Sequence, residues 1–237
     1  MTNERVFPRL SEFMQYLVKS NDGQDQLPSL RVLSGELSVS IATLREQLEV
    51  ARALGLVEVR PRTGIRRLPY QFKPAVLNSL SYATAIDPQT YFQAFTDLRM
   101  HIEAAYWRQA VQLLCEEDHA RLHVLVDSAI DKLNGDPIQM PHDEHRQLHL
   151  GIYSRLNNPF VTGILEAYWE AYEAVGLNTY TDIAYMKLVW DYHRRMVDSI
   201  CRGDVTTGYH LLIDHADLLQ QRTAPMPRPV MPRQGFE

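Results

Sequence analysis

Residues 27–68, LPSLRVLSGELSVSIATLREQLEVARALGLVEVRPRTGIRRL, restrict the fold strongly because they predict two capped helices, a tight turn and a strand pair in immediate succession. Ser29 and Ser40 each precede an apolar pattern of helical spacing, as helix-capping residues do. The second pattern stops at Gly55, after which GLVEV and GIRRL flank a turn of Pro, Arg and Gly and predict a hairpin. Together with a helix in RLSEFMQYLVKS, this order predicts a winged helix-turn-helix over residues 1–70.

Charge is distributed unevenly along the 237 residues, whose net charge is −5. Residues 1–75 contain 11 Lys and Arg against 8 Asp and Glu, a balance of +3. The remaining residues contain 13 against 21, a balance of −8. This asymmetry indicates a small basic module joined to an acidic body, and the basic module is the part suited to a polyanion.

In a winged helix-turn-helix, the second helix of the turn lies in the major groove while basic and hydroxyl groups around it hold phosphates. We expect the hairpin tip to enter the neighbouring minor groove, where a glycine allows the backbone to approach closely. The residues expected at this DNA face are Arg31, Ser40, Thr43, Arg45, Arg62, Thr63 and Gly64. The alternative is that these arginines are an ordinary solvated surface and the module binds protein.

Beyond residue 70 the sequence shows helical periodicity and no strand-like alternation, so the predicted fold class is mainly α. Pro69, Pro74 and Pro88 interrupt the pattern, and we interpret residues 71–87 as a linker. Residues 88–222 predict a bundle of about six helices. The predicted segments are 88–114, 117–133, 143–156, 159–175, 182–202 and 205–222. The Pro-rich tail, residues 223–237, is expected to be disordered.

Cysteine content and apolar runs indicate the compartment. Cys115 and Cys201 are far apart and have no CxxC partner, which argues against a disulfide framework and against a cysteine zinc site. No basic-then-apolar leader and no run of about 18 apolar residues occurs. We therefore expect a cytoplasmic protein with no membrane partner.

Four histidines in the second half have the spacing of a metal site. His145 and His149 are four residues apart, so they lie on one face of a helix. His193 and His215 belong to two later helical segments with apolar neighbours. Side chains from facing helices of a bundle commonly build metal sites, and zinc, nickel, iron and copper all accept imidazole. The alternative is that each histidine is an ordinary hydrogen-bonded core residue.

The N-terminal segment resembles the DNA-binding domain of GntR-family bacterial transcription regulators, whose pattern runs approximately LPSER-x-LA-x-x-x-GVSRTTVREAL-x-x-L-x-x-x-GLV. Leu30 stands where that family usually has Glu, and Ile41 where it usually has Arg. The helical part resembles the FCD domain of the FadR-type branch. Three stretches are similar to the histidine motifs of that domain: HRQLH followed by SRLNNP, then YHRRMVDSICRGD, and then DHADLL. Within HRQLH, His145 occupies the place of the usual Asp.

The resemblance implies a homodimeric transcription regulator, a repressor, whose partner is a pseudo-palindromic double-stranded DNA operator. It also implies a divalent transition metal, with zinc expected and nickel the alternative. The implied ligands are His145, His149, His193 and His215, and His145 is the doubtful member of the set because of the Asp that it replaces.

Four neutral imidazoles leave the charge of a divalent ion uncompensated, so we expect a small organic acid to bind there as the effector. Arg99 lies in a segment that resembles the family's E-x-R-x-x-x-E helix and is expected to bind the carboxylate. The alternative for Arg99 is a salt bridge to Asp97 or Glu103 outside the pocket.

Two other functions stay open at this point. The metal itself could be the signal, or the protein could be a metal-dependent hydrolase. The hydrolase is disfavoured because no Glu or Asp stands at a clear general-base position beside the histidines, as an H-E-x-x-H helix would supply. We predict that the protein is not an enzyme.

Overall fold

The structure is a computed structural model that describes residues 10–20, 25–174 and 182–223. The described residues form two compact units. One unit contains residues 10–91 and 157–174, and the other contains residues 92–156 and 182–223. The predicted Pro-rich tail lies outside the described residues except for Thr223, the last residue of a helix. None of the described helices is both long and apolar enough to cross a membrane.

The first unit opens with three helices and a two-stranded sheet, as the sequence predicts. The elements are α1 (Glu12–Lys19), α2 (Leu30–Leu37), α3 (Ile41–Ala53), β1 (Val57–Arg60) and β2 (Gly64–Arg67). The hydroxyl oxygens of Ser29 and Ser40 accept hydrogen bonds from backbone N–H groups in the first turns of α2 and α3, which confirms both predicted caps. The core of this module is formed by Phe13, Leu17, Leu27, Leu33, Leu44, Leu48, Ala51, Val57 and Ile65.

The two strands are antiparallel, with Val57 opposite Arg67 and Arg60 opposite Gly64. Residues 61–63 connect the two strands. Arg62 in this turn and Gly64 at the start of β2 have φ values of +70° and +81°. The structure therefore contains the predicted winged helix-turn-helix.

Residues 71–87, expected to be a linker, contain a helix, α4 (Lys73–Ile86). A proline interrupts a helix only in the helix interior. Pro74 stands in the first turn of α4, and Pro88 is the first residue of the next helix, positions at which a proline costs no intrahelical hydrogen bond.

Helix α8 (Pro159–Ala174) packs against α4 and so belongs to the first unit by contact, although it was expected to belong to the bundle. At Gly163 of α8 an added Cβ would lie 2.7 Å from the backbone nitrogen of Lys73, and Lys73 pairs with Glu170 at 3.0 Å. The compact units therefore divide the chain differently from the expected boundaries at residues 70 and 88.

The second unit is helical. Its elements are most of α5 (Pro88–Gln112), followed by α6 (Glu116–Asn134), α7 (His142–Ile152), α9 (Ile183–Cys201) and α10 (Val205–Thr223). Together with α8, these bounds match the six predicted segments to within a few residues. The largest difference is at α7, which ends four residues earlier than expected.

Contacts between helices fix this unit. The indole N–H of Trp107 on α5 donates to the carbonyl of Val205 at 2.9 Å, and Gly208 lets α10 approach the same ring. Helix α7 is held on α6 by Glu144, which pairs with Lys132 at 2.6 Å and accepts a hydrogen bond from Ser128 at 2.9 Å. Helix α9 lies against both α6 and α10.

Candidate metal centre and nucleic-acid interface

The four predicted histidines converge in the second unit. Helix α7 places His145 and His149 one turn apart, with ring centroids separated by 5.1 Å. His193 of α9 lies 4.8 Å from His145, and His215 of α10 lies 4.4 Å from His193. One ring nitrogen from each histidine lies within 4.8 Å of those of the other three. The imidazoles of three helices therefore meet at one place.

The donor set fits a divalent transition metal. In a tetrahedral site with Zn–N bonds of about 2.0–2.1 Å, the bound nitrogens lie about 3.4 Å apart. The ring nitrogens of the cluster lie within 4.8 Å of one another, so the most separated pair would have to approach by up to about 1.4 Å. His193 is fully buried, and neither of its ring nitrogens has a hydrogen-bond partner among the described residues. Buried polar atoms of this kind are rare and call for an explanation, and a bound ion supplies one.

Burial keeps His145, His193 and His215 in the protonation state that a metal requires. Removal from water lowers the pKa of His215 to about 3 and holds the pKa values of His145 and His193 well below their ordinary value of 6.5. The neighbouring imidazoles and Arg99 lower them further. These rings are neutral at pH 7 and keep a lone pair for coordination.

A buried ion pair lies against the cluster on α5. Arg99 and Glu103 are 2% and 1% exposed, and their charged groups are 3.0 Å apart. The second oxygen of Glu103 lies 3.2 Å from Nδ1 of His149, and the backbone carbonyl of Glu103 accepts a hydrogen bond from Tyr153. Arg99 thus forms the salt bridge to Glu103 that was expected if Arg99 did not bind a carboxylate effector. The salt bridge lies beside the histidine cluster, whereas it was expected outside the pocket.

Glu103 carries a negative charge in spite of its burial. Desolvation alone would raise the pKa of this carboxyl. The attraction of Arg99 and the contact with His149 have the larger combined effect, so the pKa of Glu103 lies below its ordinary value. The sequence places Glu103 one helical turn after Arg99, and that spacing is the signal for their pairing. Its contact with His149, 46 residues away, has no such signal.

Trp190 of α9 is a residue that the sequence did not single out. Its indole ring lies 4.8 Å from the ring of His193 and 6.1 Å from that of His145. The spacing of Trp190 and His193, three residues apart on one helix, is the signal that could have identified it. His142, interpreted as a cap or surface residue, is the half-buried first residue of α7.

The predicted DNA-face residues lie on the surface of the winged helix-turn-helix. Arg31, Ser40, Thr43, Arg45, Arg62, Thr63 and Gly64 are all exposed. The other arginines described in this module have partners: Arg52 binds Glu49, Arg60 binds Glu58, Arg66 binds Asp25 and Arg67 binds Ser20. Arg31, Arg45 and Arg62 have neither a hydrogen bond nor an ion pair with any residue that the structure describes.

The hairpin tip is braced by a residue that sequence reasoning missed. The side-chain amide of Gln26 donates to the carbonyls of Thr63 and Ile65, at 2.8 and 3.1 Å. The backbone beside it, at Leu27, also donates to Ile65. A polar residue before a helix cap carries no sequence signal for this role, because the pairing joins residues 37 to 39 positions apart.

Comparison with known proteins identifies the family. The family model of the FCD domain matches residues 94–218, more than half of the chain. This chain belongs to the FCD-domain family. YcbG, an uncharacterized HTH-type transcriptional regulator of Bacillus subtilis, is 22% identical to this chain over 200 residues. The alignment covers 84% of this chain and 80% of YcbG.

Two solved structures share the fold of this FCD-domain chain. A GntR protein of Streptococcus agalactiae has a TM-score of 0.63 at 15% identity, covering 89% of this chain and 95% of that one. Lar, which controls the expression of the Listeria monocytogenes agr system, has a TM-score of 0.51 at 13% identity, covering 91% and 96%. YcbG is a transcriptional regulator and the Streptococcus agalactiae structure is a GntR protein, so these relatives of the FCD-domain chain are regulators and not enzymes.

Proposed function

We propose that this protein is a metal-containing repressor that releases its operator when a small organic acid binds beside the metal. The observation that carries the proposal is the convergence of four imidazoles from α7, α9 and α10, three of them buried and that of His145 half-buried, in a chain that also carries a winged helix-turn-helix. The first supplies a ligand site, and the second supplies a DNA-binding surface.

Arg31, Arg45 and Arg62 support the DNA-binding part of the proposal. An arginine that already holds a carboxylate must give up that partner to bind a phosphate, whereas these three give up no partner among the described residues. We infer that Arg45, with Ser40 and Thr43, faces the major groove, that Arg31 binds a phosphate, and that Arg62, Thr63 and Gly64 reach the minor groove.

The matched pair of variants for this surface is Arg31→Ala and Arg52→Ala. Both remove one guanidinium from the same module, but Arg52 is paired with Glu49. Loss of one phosphate contact should reduce the slope of log affinity against log salt by about 0.9 for Arg31→Ala and leave it unchanged for Arg52→Ala. Equal slopes for the two variants would contradict the proposed phosphate contact.

His145, His149, His193 and His215 would hold the metal, which we infer to be zinc, or nickel in its place. When bound, the ion supplies a positive charge in a site of low dielectric, where it attracts a carboxylate. Glu103 would hold the ring of His149 in the orientation and tautomer that direct its other nitrogen toward the ion, as carboxylates commonly do for metal-binding histidines.

Arg99 would be the second partner of the organic acid. It is buried with Glu103 beside the cluster, so an incoming carboxylate would share or replace its contact with Glu103. The effector would then change operator affinity only if it binds one arrangement of a homodimer more tightly than another. A two-fold dimer requires half-sites of matching symmetry, hence a pseudo-palindromic operator.

The proposal is tested with the full-length protein and a duplex isolated from a random library by its affinity for that protein. A thermal-shift screen of small carboxylates, with metal present, identifies a candidate effector. Fluorescence anisotropy should then show operator release by that acid in the presence of metal, and little release by it in the presence of chelator. Release of the operator by chelator alone, without the acid, would mean that the metal is the signal. Operator binding that changes with neither the acid nor the chelator would overturn the proposed regulation.

A further inference from the structure

The first residue of α3, Ile41, has an aliphatic side chain that is 39% exposed. The buried side of the helix is formed by Leu44, Leu48 and Ala51, so the core of the module does not use Ile41. Arg45 lies one turn further along the helix and is also exposed, and side chains four residues apart share a helix face. An isoleucine thus stands at the leading end of the surface that carries Arg45.

The polar groups around Ile41 are engaged with one another. The hydroxyl oxygen of Ser40 accepts a hydrogen bond from the backbone N–H of Thr43 at 3.1 Å, and it lies 2.9 Å from the hydroxyl of Thr43. These two hydroxyls are therefore partly committed to capping α3. Ile41 therefore adds an exposed apolar side chain beside two hydroxyls that already contact each other.

The start of the second helix in a helix-turn-helix is the part that meets base edges in the major groove. An isoleucine cannot hydrogen-bond to N7 and O6 of guanine, to N7 and the amino group of adenine, or to the amino group of cytosine. Covering those groups without a partner costs free energy. Thymine alone presents a methyl group in this groove, and contact between that methyl and an apolar side chain removes both from water.

We propose that Ile41 reads the C5-methyl group of a thymine in each half of the operator. The inference rests on the proposed DNA binding and adds one element of its sequence specificity. The group that Ile41 would recognise is a single methyl.

The test replaces single thymines by deoxyuridine, which removes that methyl and leaves Watson–Crick pairing intact. The DNA is a duplex isolated from a random library with the full-length wild-type protein. At one thymine in each half-site, the replacement should weaken wild-type binding about fourfold, the value for one buried methyl. The same replacement should have no effect on binding by Ile41→Ala, whereas Ile41→Val should keep most of the discrimination.

Val50 provides the matched control. It is also on α3, is 53% exposed and lies more than two turns from the start of the helix. The Val50→Ala variant should discriminate thymine from uracil as the wild type does. A library that yields no preferred duplex would contradict DNA binding itself. A preferred duplex in which no uracil replacement matters, or in which Ile41→Ala and Val50→Ala behave alike, would overturn the role of Ile41 and leave DNA binding standing.

Discussion

At the scale of single residues, Glu103 links the candidate metal centre to the buried charge of Arg99. Its carboxylate contacts His149 with one oxygen and Arg99 with the other, and all three side chains are almost completely buried. A carboxylate in this position fixes the tautomer of a metal-binding imidazole and increases its basicity. In the proposed site, Glu103 would act on the metal through His149 and would be a positioning residue.

The Glu103→Gln variant tests that role. Loss of the carboxylate should lower the affinity for zinc by about 10- to 100-fold, the usual cost of removing such a partner. A competition titration against a chelating dye measures the affinity, and the ¹⁵N chemical shifts of His149 report its tautomer. Asp118→Asn is the control, because it also removes a buried carboxylate paired with an arginine, Arg155, in a different part of the bundle. Equal zinc affinity for wild type and Glu103→Gln would refute the role.

Much of the candidate site was predictable from the sequence, because helical periodicity fixes which residues share a face. The i, i+4 spacing of His145 and His149 and the apolar neighbours of His193 and His215 were compatible with four converging imidazoles, and the resemblance to the FCD domain implied the full set. Whether Arg99 paired inside or outside the site could not be predicted. That choice depends on the distance between α5 and α7, which the pattern within either helix does not contain.

Asp118 gives a prediction about pH. Hydrogen bonds from Arg155 and from the backbone N–H of Cys115 hold the pKa of this carboxyl well below its ordinary value of 3.8. A lowered pKa in the folded state means that the stabilisation is complete above the unfolded value and is lost as pH falls below it. The difference in Tm between wild type and Asp118→Asn should be constant from about pH 7 to 5 and should shrink below about pH 4. A difference that persists undiminished at pH 3 would refute this assignment.

At the scale of helices and strands, local signals were reliable where they act within one element. Ser29 and Ser40 cap α2 and α3 as expected, since capping depends only on the next three residues. Helix α4 was missed because proline has opposite meanings at the start and in the interior of a helix. The packing of α4 against α8 joins segments about 90 residues apart, and no local pattern indicates it.

Gly163 tests the packing of α4 against α8. An added Cβ would lie 2.7 Å from the nitrogen of Lys73 and 2.8 Å from Cβ of Phe72, and the backbone contact cannot be relieved by a side-chain rotation. Gly163→Ala should therefore destabilise the protein by about 1–3 kcal/mol. Gly35→Ala is the control, because it adds a methyl to α2 where nothing lies within 4 Å. It should stabilise by about 0.5–1 kcal/mol. Urea denaturation measures both, and a Gly163→Ala protein as stable as the wild type would contradict the packing.

At the scale of the whole molecule, the uneven charge of the sequence corresponds to the two tasks that we propose. The basic module contains the exposed arginines of the proposed DNA face, and the acidic remainder contains the histidine cluster. Composition and motifs led to this proposed division. The two compact units could not be predicted from the sequence. Helix α8 follows α7, which carries His145 and His149, yet α8 packs against α4.

The metal content of the purified protein shows whether imidazoles from three helices hold a metal ion. Elemental analysis by inductively coupled plasma mass spectrometry should find about one divalent transition-metal ion per chain in the wild type. It should find none in His193→Ala and a full complement in His101→Ala, which removes an exposed histidine of α5. A wild-type protein that neither contains nor takes up a metal, or a His193→Ala variant with unchanged metal, would contradict the account.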